Sequence, residues 1–119
     1  EYAMELLSAL CGLGAKKAVL SGVSFSEGTL GAVCLDSEGG GFSSYFDERI
    51  EGFYHGTGDV FASTLLAAML CNRSLEASMR IAADFTLTAI KRTYISGRDR
   101  RYGVEFERGL SELGTLLLS

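Results

Sequence analysis

Proline is absent from these 119 residues, so few sharp boundaries punctuate the chain, and no linker, repeat or low-complexity segment divides it. One unit over residues 1–119 is the expectation. Histidine occurs once, at His55, and cysteine three times, at Cys11, Cys34 and Cys71. None of them shows CxxC or Cys/His metal spacing, which excludes a zinc site built from them. Odd-numbered, widely separated thiols fit a reduced, cytoplasmic protein. Basic residues are also few. Eleven Lys and Arg against 15 Asp and Glu give a net charge of -4, which argues against a nucleic-acid platform. Arg98, Arg100 and Arg101 cluster, but Asp99, Glu105 and Glu107 dilute them into a solvated loop. The longest apolar run, Val60 to Cys71, is too short to cross a bilayer, and no signal peptide is visible. An initiator methionine is missing too. The chain opens inside a helical pattern at Glu1-Tyr2-Ala3-Met4, as expected of a piece of something longer.

What is present is apolar and glycine-rich: 47% hydrophobic residues and 15 glycines, the composition of a folded domain. Met4, Leu7, Leu10 and Cys11 fall at helical spacing over residues 2 to 13, with Gly12 and Gly14 as stop signals. Ala18-Val19-Leu20 is a short apolar run ending in Ser21-Gly22 and predicts a buried strand. Leu30 to Leu35 and Phe42 to Phe46 predict two more, joined through Asp36-Ser37-Glu38-Gly39-Gly40-Gly41. That glycine triplet is a turn, because no Gly-Lys-Ser/Thr follows as a P-loop requires. Thr57 to Cys71 is apolar all round and predicts a buried helix. Leu75 to about Tyr94 carries Leu75, Met79, Ala82, Ala83, Thr86 and Ile90 on one side; Phe106, Leu110, Leu113 and Leu117 predict a last amphipathic helix. The order is α-β-β-β-α-α-α, an α/β layer whose sheet edges need a cover.

Chemistry concentrates at Gly56-Thr57-Gly58-Asp59, immediately before that apolar helix. Helix N-termini present unpaired amides and the positive end of the macrodipole, and so attract anions. Asp59 is the only charged residue between Gly56 and Asn72. It can serve as a base that accepts a proton from an attacking hydroxyl during phosphoryl transfer, or simply cap the helix. On spacing alone both stay open, and the cap is the commoner case. Cys11, Cys34 and Cys71 suit core positions, and Ser24, Ser26 and Thr29 suit a polar loop. Asp84 lies in an apolar helix, where a carboxylate wants a hydrogen-bond partner.

Beyond the tetrapeptide, Tyr54-His55-Gly56-Thr57-Gly58-Asp59-Val60-Phe61-Ala62-Ser63 resembles the signature of the ribokinase-like superfamily, particularly its pyridoxal/pyridoxamine kinase branch. Val19 to Val23, Ile81 to Phe85 and Arg101 to Glu107 resemble its segments in order and spacing, matching the C-terminal half of such a kinase. The resemblance implies an α/β fold: a partial ribokinase-like fold, the C-terminal part of a three-layer α/β/α sandwich with three strands and about four helices. It implies ATP-dependent phosphorylation of the 5′-hydroxymethyl group of pyridoxal, pyridoxamine or pyridoxine, with Mg2+, and an inactive fragment on its own. Asp59 would be the catalytic base; Gly56, Thr57 and Gly58 would form the anion hole, with Gly56 and Asp59 near the substrate. Ser21, Gly22 and Ile50 would contact ATP. Ser21 stands where threonine is commoner, which keeps the hydroxyl. The family's Mg-associated acidic motif, pyridine-binding residues and lid lie upstream of the matched region, so no metal ligand is assigned. The implied partners are the missing N-terminal half or a second copy. Alternatives are a hydroxymethylpyrimidine kinase, whose signature resembles Gly-x-Gly-Cys, a sugar kinase beginning Gly-Ala-Gly-Asp, and a non-catalytic nucleotide-binding or interaction module.

Overall fold

The computed structural model describes residues 2–23, 28–48, 56–97 and 105–118. Helix α1 (Tyr2–Gly12) leads into strands β1 (Lys17–Val23), β2 (Thr29–Asp36) and β3 (Gly41–Glu48). Helices α2 (Thr57–Leu70) and α3 (Leu75–Ser96) follow, then a 3-10 turn (Glu107–Gly109) and α4 (Leu110–Leu118). Gly14, rather than Gly12, stops α1. It takes φ +119°, while Ala15 N–H reaches Leu10 O at 3.3 Å and Gly14 N–H reaches Cys11 O at 3.1 Å. These are the two bonds of a Schellman ending.

The strands pair antiparallel in the order β1-β2-β3. Their period of two sorts side chains to opposite faces. Ala18, Val33, Leu20, Leu35 and Phe46 pack against Ala3, Leu7 and Cys11 of α1. Val19, Ala32, Cys34 and Tyr45 meet Phe61, Leu65 and Met69 of α2 and Leu75, Met79 and Ala82 of α3. The result is three layers, α1 on one face and α2–α3 on the other. α3 runs over β2 and β3, and α2 sits beside it toward β1. Leu7, Met79 and Cys34 are sealed from solvent. Each large apolar side chain so buried contributes about 1.5–3 kcal/mol relative to exposure.

Five expectations change on contact with this packing. α2 is not buried all round: Phe61, Thr64 and Ala68 are, while Leu66 is 59% and Leu70 75% exposed. Its apolar circumference is wider than the face that α3 and the sheet can cover. β1 is only partly buried, Val19 and Leu20 being intermediate, because it is the terminal strand of the described sheet. On α1 the Ala3-Leu7-Cys11 row meets the sheet, which turns Met4 and Leu10 outward. Leu110 stays half exposed where a 3-10 turn, not α-helix, leads into α4. Thr29, read as loop, begins β2.

α2 and α3 are joined by a four-residue connection. Arg73 N–H bonds Ala68 O (3.1 Å), Asn72 N–H bonds Met69 O (3.0 Å), and Asn72 takes φ +65°. Ser74 then caps α3, its hydroxyl accepting from Ala77 N–H at 3.1 Å.

Candidate functional site

Antiparallel pairing decides which residues meet. Ser21 opposes Ala32, Val23 opposes Gly31, Leu30 opposes Asp47 and Thr29 opposes Glu48. The end of β1, the start of β2 and the end of β3 therefore share one edge of the sheet. Gly22 is left over in the β1–β2 register and holds φ +71°, so it forms a bulge, a feature that re-aims neighbouring groups. A Cβ on Gly31 would collide with the Tyr45 carbonyl and stand 2.7 Å from Phe46 Cα. Only glycine fits there.

Over this edge lies a cleft of about 170 Å³. Ser21 and Gly22 of β1 face Thr57 and Gly58 of α2 across it; Leu30, Phe61, Ala83, Leu87 and Ile90 give apolar wall, and Asp47 and Glu48 line it from β3. Gly56 is the N-cap of α2, in the left-handed region at φ 85°, with no side-chain cap. The first helical bond runs from Val60 N–H to Gly56 O (2.9 Å), so the amides of Gly58 and Asp59 have no acceptor within the helix. A Cβ built on Gly56 or Gly58 would meet open space. Positive φ at Gly56, and not crowding, is what asks for glycine there.

Four of the expected residues thus converge: Ser21, Gly22, Thr57 and Gly58. Asp59 does not line the cleft. Two residues beyond Thr57 it is turned about 200° around the helix, onto the exposed side that carries Ala62, Ser63, Leu66 and Leu70. Nor is it the cap, since Gly56 holds that position. Ile50 and His55 lie outside the described residues, as do Ser24, Ser26 and Arg98 to Arg101.

Asp84 has the partner its helix demanded: Tyr45 Oη donates to its Oδ1 at 2.7 Å. That bond pushes the Tyr45 phenol up to about 12, with burial adding. Arg80 stacks over the Tyr45 ring at 5.0 Å. Asp47, two residues on and facing the same way, is held above the usual carboxylate range by burial and by a hydrogen bond with Asp84. Glu48 takes an ion pair from Lys91 at 2.6 Å, which raises the lysine. Asp47 and Glu48 are cleft residues that sequence reasoning missed; the alternation Ser43-Tyr45-Asp47 toward α3 was the available signal. Burial pushes the Cys34 thiol up, in keeping with an inert core position. All three cysteines are free. Among the described residues no three His, Cys, Asp or Glu side chains gather as a metal cage, and no helix is long and apolar enough to cross a membrane.

Three layers, antiparallel strands at the end of the sheet and a glycine-started helix above them form part of a ribokinase-like α/β fold. Solved structures carry the same arrangement. Pyridoxal kinase from Lactobacillus plantarum superposes with a TM-score of 0.82 at 27% identity, over 95% of this chain and 41% of its own. A Bacteroides thetaiotaomicron protein assigned as a phosphomethylpyrimidine kinase superposes at 0.89 in a rhombohedral crystal form, with 23% identity, over 95% of this chain and 39% of its own. Its orthorhombic form, with pyridoxal, gives 0.86. The chain therefore spans about two-fifths of the length of these structures. No curated protein sequence matches it. The family model described as phosphomethylpyrimidine kinase matches residues 1–103, and the chain belongs to that family.

Proposed function

We propose that this chain supplies the nucleotide side and the base of an ATP-dependent kinase that phosphorylates the 5′-hydroxymethyl group of pyridoxal, pyridoxamine or pyridoxine. One observation carries the reading: Ser21, Gly22, Thr57 and Gly58 line a single cleft at the positive end of α2. In this role the cleft takes ATP, with phosphates toward the bulge and the helix start and the base toward Leu30, Leu87 and Ile90. The amides of Gly58 and Asp59 stabilise charge on the moving phosphoryl group. Asp59, on the other side of the helix start, accepts the proton of the attacking hydroxyl. Nucleotide and acceptor then lie on opposite sides of the Gly-Thr-Gly turn, as an in-line transfer requires. Mg2+ would neutralise phosphate charge. Asp47 bonds Asp84 and Glu48 pairs with Lys91, while Asp47 Oδ2 is buried without a hydrogen-bond partner, so the phosphates would be the ion's chief ligands, with Asp47 the acid of this pair left an oxygen to offer. Free thiols suit a cytoplasmic setting. Residues 1–119 act in this reading as one portion of a larger kinase domain.

The pyridoxal branch is favoured by Asp59 in the signature, by the 27% identical pyridoxal kinase and by the pyridoxal in the Bacteroides crystal. The name of the matching family favours hydroxymethylpyrimidine as the second acceptor to test. Asp59→Ala in the full-length kinase should lower turnover by about 10²–10⁴-fold while ATP binding and the fold persist. Steady-state assays with each acceptor, alongside ATP titration, check this; unchanged turnover ends the base assignment. The 119-residue chain alone should bind ATP weakly and show no turnover.

A further inference from the structure

α4 is fastened at its two ends and stands off α3 between them. At its start the 3-10 turn brings Gly109 against α3, so close that a Cβ there would lie 2.9 Å from the Phe85 ring and 2.8 Å from Arg92 Nη1. At its end Arg73 Nη2 donates to Leu116 O at 2.8 Å, and Leu117 is buried. Between these anchors lies a cavity of about 310 Å³, larger than the cleft over the sheet edge. It has room for about ten waters at about 30 Å³ each, the lower end of the range for small-molecule pockets. Ile81 and Phe85 of α3 and Leu113 and Leu116 of α4 give it apolar walls. At about 100° per residue, Ile81, Phe85 and Arg92 project from the side of α3 opposite Ala83, Leu87 and Ile90, which face the other cleft.

The polar groups of this cavity are unevenly committed. Thr88 donates its hydroxyl to Asp84 O at 2.9 Å, and the Asp84 carboxylate receives Tyr45. Arg92 is half-buried beside Gly109 and, among the described residues, has neither ion pair nor hydrogen bond. Its neighbour Lys91, by contrast, has Glu48. Glu112 lines the cavity from α4 and is exposed. A cation partly withdrawn from water without a counter-charge is costly. An anion arriving with its own apolar body would relieve that cost.

The geometry points to this cavity as a second ligand site, separate from the nucleotide cleft, for a small organic carboxylate with an apolar body. The guanidinium fork of Arg92 takes the carboxylate through two parallel hydrogen bonds, and the ring or alkyl chain lies between Phe85 and the leucines of α4. Asp84 and Glu112 select for charge. One cation facing two acids accommodates a monoanion better than the dianion of a phosphate ester. The two ligands share only the body of α3.

The test titrates the full-length protein with benzoate and follows the methyl resonances of Ile81, Leu113 and Leu116. These should shift and saturate while the amides of Ser21, Gly22, Thr57 and Gly58 stay in place. Benzamide, which has the shape without the charge, and phenyl phosphate should both bind more weakly. Arg92→Met keeps the apolar stem and should weaken benzoate about tenfold or more, with ATP affinity unchanged. Glu112→Gln, at an exposed position, should tighten benzoate by about twofold. The proposal is overturned if no saturable shift occurs, if the shifts fall on the nucleotide cleft instead, or if Arg92→Met binds benzoate as the wild type does. Equal binding of benzamide, or tighter binding of phenyl phosphate, also overturns it, and these comparisons need no variant to fold.

Discussion

Tyr45, Asp47 and Asp84 show how much a single hydrogen bond decides. The Tyr45 phenol donates to Asp84 and is pushed up to about 12, so the folded protein holds that proton after the unfolded chain, titrating near 10, has released it. Stability then declines as pH climbs from about 10 to 12. Absorbance at 295 nm should show one tyrosine ionising near pH 12, brought down by Asp84→Asn and missing from Tyr45→Phe. Asp47 has the same sign at lower pH. Its carboxyl stays protonated above the ordinary range, so stability falls as pH rises from about 4 toward the folded value and is level beyond it. Asp47→Asn should remove that decline, read from urea midpoints between pH 4 and 7; a wild-type slope in the variant would reject the burial argument. Asp84 was legible in sequence because a carboxylate in an apolar helix demands a donor. Asp47 was not: an acid at a strand end looks like a solvated one until α3 is laid over it.

Among the elements, helix ends were the most readable feature, since their chemistry is local. Gly14 closes α1 with two bonds that any sequence offering φ > 0 at that point could make. At the α2–α3 connection Asn72 performs the same task, the one non-glycine residue with positive φ among those described. Asn72→Gly should be close to neutral, whereas Asn72→Val should cost about 1–2 kcal/mol. Ser74→Ala, which strips the cap from Ala77 N–H, should cost about 1 kcal/mol. Thermal or urea unfolding of the three variants checks the ranking; a tolerated valine would show that the connection adopts another conformation. Less legible was which side of an apolar helix is covered. The residues of α2 are apolar all round, but periodicity carries no information on how much surface the neighbours supply. The same limit applies to Asp59. Its position near a helix start was evident, and its placement on the face opposite Thr57 followed only when Phe61 and Thr64 were seen turned inward.

For the whole molecule, the consequence is a set of large apolar side chains left facing solvent. Leu13, Leu66 and Leu70 are all more than half exposed. The isolated chain should bind an environment-sensitive dye such as ANS while folded, and should scatter light increasingly with concentration. Replacing Leu66 and Leu70 with glutamate should reduce both signals without shifting the unfolding midpoint. Dye binding equal to that of an ordinary folded domain would mean that these side chains are covered within the chain. The layered α/β fold itself was readable from the alternation of short apolar runs, glycine turns and helical periodicities. That the sheet stops at β1 was foreseen only as an edge needing a cover, because strand order belongs to pairing and not to any one segment.

The β2–β3 turn offers a practical use of the antiparallel ladder. Residues 37–40 join the strands at the end of the sheet opposite the cleft, roughly 20 Å away at about 3.4 Å per residue. The turn is held by Ser37, which donates from both its amide and its hydroxyl to Lys16 O, and by Glu38 N–H donating to Asp36 Oδ1. Gly39 lies at its exposed tip. A fluorophore or affinity tag grafted there would stand clear of the cleft and give this protein a handle for single-molecule work.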